Sequence, residues 1–126
     1  MKLIELIEEV RAEKPNSFGI DTLIRYVNEV EAIVCEFAGK DPSEWVVHKW
    51  TEDGNVYGDD ELFVDAPYSV LYKSYLKAKI DFATEDYESY ANNQAQFNLD
   101  LEDWQAYAVR NGIAKSFLPK TIRNWW

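Results

Sequence analysis

Between Pro67 and Gly112 the chain holds no other glycine or proline, and from Leu76 its core-type positions fall three and four apart. They are Leu76, Ile80, Ala83, Tyr87, Tyr90, Gln94, Phe97, Leu101, Trp104 and Ala108. A 3-4 alternation held this long is a helical stripe and is hard to obtain by chance. A continuous helix over the span would measure about 65 Å, against a radius of gyration of about 14 Å for a compact chain of this size. The stripe therefore either folds back on itself as two antiparallel helices or projects and buries itself against another subunit. For a fold-back the break belongs near Ala83, while the unbroken stripe argues for one helix. Thr84 can cap a new helix there, with Glu85 and Asp86 in a first turn that favours acids.

Upstream, Leu3 to Ala12 read as a short helix with Leu3, Ile4, Ile7 and Val10 on one face, stopped by Lys14-Pro15. Gly19 can cap a second helix, with Phe18 and Leu23 placed for a hydrophobic staple. Its stripe is Ile20, Leu23, Val27, Val30, Val34 and Phe37, and Gly39 is its stop. The two helices read as an antiparallel pair. Asp41-Pro42-Ser43-Glu44 has the pattern of one helical turn. Trp45 to Thr51, rich in β-branched and aromatic residues, reads as a short strand that Glu61 to Val64 would partner across a turn at Gly54-Asn55 and Gly58. Pro67 then stands at the first position of the long helical stretch.

The expected fold is mainly α: a bundle of about four helices with a long C-terminal helical segment and a small β-hairpin or loop excursion between the second and third. At 126 residues one domain is expected, over residues 1–112, followed by a tail over 113–126. A hydrophobic share of 47%, with 15% aromatic, excludes a disordered chain. The net charge of -10 argues against nucleic acid or an anionic membrane as the main partner. One cysteine, Cys35, fits a reducing compartment, and MKLIELIEEV has acids inside its apolar run, unlike a signal peptide or a membrane span. A cytoplasmic protein is the expectation.

Charge is unevenly spread. Residues 104–126 carry +4 through Arg110, Lys115, Lys120 and Arg123, while residues 1–103 carry -14. The tail also contains Phe117, Leu118, Ile122, Trp125 and Trp126, which a polar, solvated tail would not. Aromatic residues beside cations have the composition of an interface anchor. The protein-interface candidates are therefore Lys115, Phe117, Lys120, Arg123, Trp125 and Trp126, together with Trp45 and Trp50 of the strand-like segment.

Catalytic and metal signals are weak. Asp53, Asn55 and Gly58 match the first, third and sixth places of an EF-hand loop, but Tyr57 replaces a ligand and Val64 occupies the place of the bidentate acid. That loop, Asp53 to Glu61, reads as a solvated turn. His48 is the only histidine, which excludes a multi-histidine metal site, and it reads as a packed or edge residue. Cys35 reads as a small buried residue without a base beside it. Phosphate-loop, HExxH and CxxC patterns are absent. No catalytic residue, metal ligand or cofactor is assigned, and an enzyme is not expected.

The order of motifs is distinctive: KLIELIEEVRAEKPNSFG, DTLIRYVNEVEAIV, an aromatic-containing loop, then APYSVLYKSYLKAKIDFATEDYESYANNQAQFN and a tryptophan. It resembles a family of small, mostly uncharacterised proteins of tailed phages and prophages of Gram-positive bacteria, encoded in the head and head-to-tail joining module. The most specific parts are Lys14-Pro15-Asn16-Ser17-Phe18, Ile24-Arg25-Tyr26, Leu71-Tyr72, Ala78-Lys79-Ile80-Asp81, Glu85 with Tyr90, and Phe97-Asn98. Departures are Gly19 in place of a serine cap, the loop from Trp45 to Asp60, and the Trp-Trp ending. The resemblance implies a virion structural protein, a connector or adaptor between portal and tail that self-associates or binds portal and tail proteins. Its place would be the host cytoplasm during assembly and then the virion. It brings no catalytic residues. The alternative is an acidic prophage-encoded regulatory or inhibitory protein that mimics DNA against a basic host partner.

Overall fold

The computed structural model describes residues 1–49 and 60–114. Four α-helices carry these residues: α1 (Leu3–Glu13), α2 (Ile20–Phe37), α3 (Val70–Ala83) and α4 (Tyr87–Arg110), with a 3-10 turn at Pro42–Glu44. The mainly helical bundle expected from periodicity is what forms.

The long stripe folds back. α3 and α4 are antiparallel partners through most of α3, and α2 and α1 also pack on α3. α1 and α2 each pack more extensively on α3 than on one another, so α3 and not their pairing organises them. The reason lies in α3, which is apolar on more than one side. Leu71, Tyr72, Leu76, Ala78 and Ile80 are all buried in it. Leu3, Leu6, Ile7 and Val10 of α1 and Leu23, Val27, Val30 and Val34 of α2 form one cluster with Leu71, Tyr72, Leu76 and Ile80.

Three helix ends share one solution to their unpaired carbonyls. At the end of α2, Gly39 N–H donates to the Glu36 carbonyl at 3.0 Å and Lys40 N–H to Cys35 at 3.1 Å. At the end of α4, Gly112 N–H reaches Val109 at 3.3 Å and Ile113 N–H reaches Ala108 at 2.8 Å. α3 ends likewise, with Glu85 N–H on Phe82 at 3.2 Å and Asp86 N–H on Asp81 at 2.9 Å. Gly39 and Gly112 take the left-handed backbone at φ 82° and 72°, but at the third end a side-chain-bearing residue, Glu85, takes it at φ 63°. The break thus falls where expected while the cap does not. Thr84 ends α3, and Asp86 caps α4 by accepting from Ser89 N–H at 3.3 Å.

Two further expectations are corrected. Pro67 does not open α3; it follows Ala66 through a cis peptide, and the helix begins three residues later at Val70. Among the described residues there is no strand. The Asn28 side chain takes up both backbone groups of His48, at 2.9 and 2.8 Å, so this segment is hydrogen-bonded to α2. Glu61 pairs with Lys2 in a single antiparallel bridge. Of the hairpin and the loop excursion, the described part is the loop. Phe18, expected to staple Leu23, sets its ring edge-on to Tyr26 at 6.4 Å.

Candidate functional site

Two groupings of side chains stand out, one inside the body and one on it. The interior one centres on Glu31, a carboxylate on the apolar face of α2 with no exposed surface. Tyr72 of α3 donates its hydroxyl to Glu31 Oε1, and Phe63 N–H donates to Oε2 at 3.1 Å. His48 Nε2 lies 2.8 Å from Oε2, and its Nδ1 lies 3.1 Å from Asp60 Oδ2. The Tyr72 hydroxyl also accepts from Val64 N–H at 3.0 Å. Burial pulls the His48 imidazole toward the neutral form, but the hydrogen bonds and charges of Glu31 and Asp60 outweigh it and raise its pKa. Burial also drives the Tyr72 phenol upward, with the Glu31 charge adding to it. Each group is satisfied by the others, and His48 and Glu31 are both closed to solvent. This cluster pins the loop to α2 and α3.

A second polar tie joins three helices. Lys14, at the end of α1, pairs with Asp81 of α3 and donates to Ser89 Oγ of α4 at 3.1 Å. Ser89 Oγ and Asn93 Nδ2 each donate to Asp81 Oδ2 at 2.7 Å. Although burial pushes the Asp81 carboxyl up, these donors prevail and hold its pKa below the ordinary value.

The surface grouping lies near the α3–α4 turn. Tyr75, Ala78, Lys79 and Phe82 repeat at helical spacing on α3 and face Tyr90 and Gln94 of α4 across an open groove of about 480 Å³. Phe82 stands between Tyr87 and Tyr90, with ring centroids 6.0 and 5.2 Å away. Phe82 is 57% exposed and Tyr87 59%. At the groove's inner end the Lys79 ammonium lies over the Tyr26 and Tyr75 rings, at 5.6 and 5.3 Å, and pairs with Glu29 at 3.5 Å.

This groove is where the stripe and the body part company. Leu76, Ile80, Phe97, Trp104 and Ala108 are buried as their spacing requires. Trp104 meets Phe37 and Phe63 edge-on at 5.7 and 6.3 Å. Between them, Ala83 and Tyr87 are exposed, and Tyr90 and Gln94 are only half-buried.

Of the expected interface residues, Trp45 is half-buried and donates its indole N–H to the Lys40 carbonyl at 3.0 Å. Trp50, Lys115, Phe117, Lys120, Arg123, Trp125 and Trp126 lie outside the described residues, as does most of the Asp53 to Glu61 loop. His48 is packed and Cys35 buried, and burial raises the Cys35 thiol pKa. Among the described residues, no group of three or more His, Cys, Asp or Glu side chains is placed to hold a metal ion. No helix among them is long and apolar enough to cross a membrane. The Glu31 cluster was not anticipated. Its signal is an acid set four residues after Val27 and four before Cys35, on the apolar side of α2, in a chain whose single histidine is His48.

The fold defines an all-α protein with a polar interior tie and an uncovered aromatic groove. Set against family models, curated proteins and solved structures, the chain matches none of them.

Proposed function

We propose that this chain is a phage or prophage virion structural protein, a head-to-tail connector or adaptor that works by protein–protein contact. The observation that carries the reading is the uncovered middle of the helical stripe. Phe82, Tyr87 and Tyr90 form a contiguous aromatic surface at the α3–α4 turn, where a chain that functions alone would place polar residues. The resemblance in motif order supplies the biological setting. The test is co-purification with the portal and tail-completion proteins of the same genome, followed by mixing with Phe82→Ala and Tyr87→Ala variants. Capture that both variants weaken supports the reading, and absence of capture refutes it.

One observation favours a second reading, the DNA-mimicking regulator. Between Lys79 and Arg110 the chain carries seven acids and no base. Such a protein would bind a basic host protein with steep salt dependence and would be indifferent to Phe82→Ala.

A further inference from the structure

The groove requires an occupant that is apolar enough to cover Phe82, Tyr87 and Tyr90 and positively charged at its edges. Of the seven acids between Lys79 and Arg110, Glu85, Asp86 and Glu88 lie exposed around the turn that closes the groove's outer end. Asp81 is already matched by Lys14. An incoming segment with acids of its own would meet like charge here, whereas cations would be drawn in. Residues 115–126 have the complementary chemistry: Lys115, Lys120 and Arg123, no acid, and Phe117, Leu118, Ile122, Trp125 and Trp126 as apolar payload.

Reach limits how much of the segment the chain's own body could seat. The chain leaves α4 through Gly112 and is held back against the body at Ala114, which is buried and donates its N–H to the Ala108 carbonyl at 3.2 Å. From the level of Ala108 to that of Gln94 and Tyr90 is about 21–27 Å along α4, at ~1.5 Å per residue. An extended chain gains at most ~3.6 Å per residue, so on its own body only residues from about 121 onward would arrive, the latter half of the segment. Phe117 and Leu118 would stay far from the aromatic surface. A neighbour's segment has no such tether and can lie along the whole groove.

We infer that the groove between α3 and α4 receives residues 115–126 of a second copy of the chain. The contact joins unlike surfaces, so repeating it builds a ring or an open filament. The inference rests on the assembly reading above and names the contact through which assembly proceeds.

Charge exchange between separate chains tests it. One full-length variant carries Lys120→Glu and Arg123→Glu; another carries Glu85→Lys and Glu88→Lys. The parent chain is expected to self-associate in light scattering and sedimentation equilibrium, and each variant alone to associate roughly tenfold or more weakly, the effect of ~1.4 kcal/mol. Mixed one to one, the two variants should restore association, and Phe82→Ala should abolish that restoration. Failure of mixing to restore association overturns the inference, as does a parent chain that stays monomeric throughout. Association that survives in both variants also overturns it while leaving the assembly reading intact, since assembly would then use another surface. Recovery of thermal stability only when all four substitutions share one monomeric chain would assign the segment to its own body and refute the exchange.

Discussion

Removing one oxygen atom from the core tests whether Glu31 is held as the geometry indicates. In Tyr72→Phe the ring stays and the hydroxyl goes. Val64 N–H, which donates to that hydroxyl at 3.0 Å, is then buried without an acceptor, and Glu31 Oε1 loses its donor. A buried orphan donor costs about 1–3 kcal/mol, and a hydrogen bond to a charged group contributes about 1.5–3 kcal/mol. Partial relaxation makes about 3 kcal/mol the expected total. For 126 residues each kcal/mol moves Tm by about 4 °C, so the variant should melt about 12 °C lower. Tyr75→Phe is the control, because Tyr75 donates to Glu29 in the same way but at a half-exposed site. It should cost about 1 kcal/mol, or about 4 °C. Thermal melts followed by circular dichroism separate the two. In a Glu31→Gln background the cost of Tyr72→Phe should shrink by about 1 kcal/mol or more, since partners in one network do not add. Equal shifts for Tyr72→Phe and Tyr75→Phe would refute the reasoning, as would full additivity with Glu31→Gln.

Other consequences are as open to measurement. Because the His48 pKa is raised in the folded chain, its contribution is complete below its ordinary value of 6.5 and is lost as pH rises through the folded value. The melting temperature of the parent should therefore fall on the alkaline side of neutrality more than that of His48→Gln, and parallel curves would sink the assignment. Lys14→Met leaves the buried Asp81 carboxylate without its cation; with Lys14 a quarter exposed, a loss of about 2 kcal/mol is expected in urea unfolding, and Asp81→Asn in the same chain should recover part of it. Glu85→Gly relieves a side chain held at φ 63° and should raise stability by about 1 kcal/mol in the same assay, whereas a decrease would contradict the strained turn. Glu13 bridges Lys73 and Lys77 at 2.8 and 2.9 Å, and their hydrogen bonds lower its pKa to about 2. Its stabilising effect, complete above about 4.5, should fade as pH falls from there through about 2 and should weaken in high salt, which an acid titration at two ionic strengths would reveal.

The helices were legible in the sequence because apolar spacing and stop signals act locally. Leu3 to Val10, Ile20 to Phe37 and the break after Ala83 needed no knowledge of the rest of the chain. The partners of those helices were not legible, since the preference of α1 and α2 for α3 depends on α3 being apolar on several sides at once. The strand reading of Trp45 to Thr51 failed over its described residues, 45–49, for a related reason. β-propensity describes a residue that suits a half-buried pleated surface, and here the Asn28 side chain claimed the backbone of His48 first. At α4 the cap moved from Thr84 to Asp86 because the closing bonds of α3 require Thr84 and Glu85 for themselves.

Several residues that carry the family-like pattern build the body and are not displayed on it. Lys14 and Asp81 tie α1 to α3 and α4, and Tyr72 closes the Glu31 cluster. Asn16 accepts from Phe18 N–H at 3.0 Å and donates to the Lys14 carbonyl at 3.0 Å, shaping the turn between α1 and α2. Phe97 packs on Tyr75 with ring centroids 5.0 Å apart. A buried polar network is demanding, because losing any one member strands the others. On the assembly reading proposed above, partner choice would reside at Phe82, Tyr87 and the basic aromatic residues 115–126. Grafting that surface and segment onto another chain with the same interior should transfer assembly specificity, and exchanging the interior residues should change stability alone.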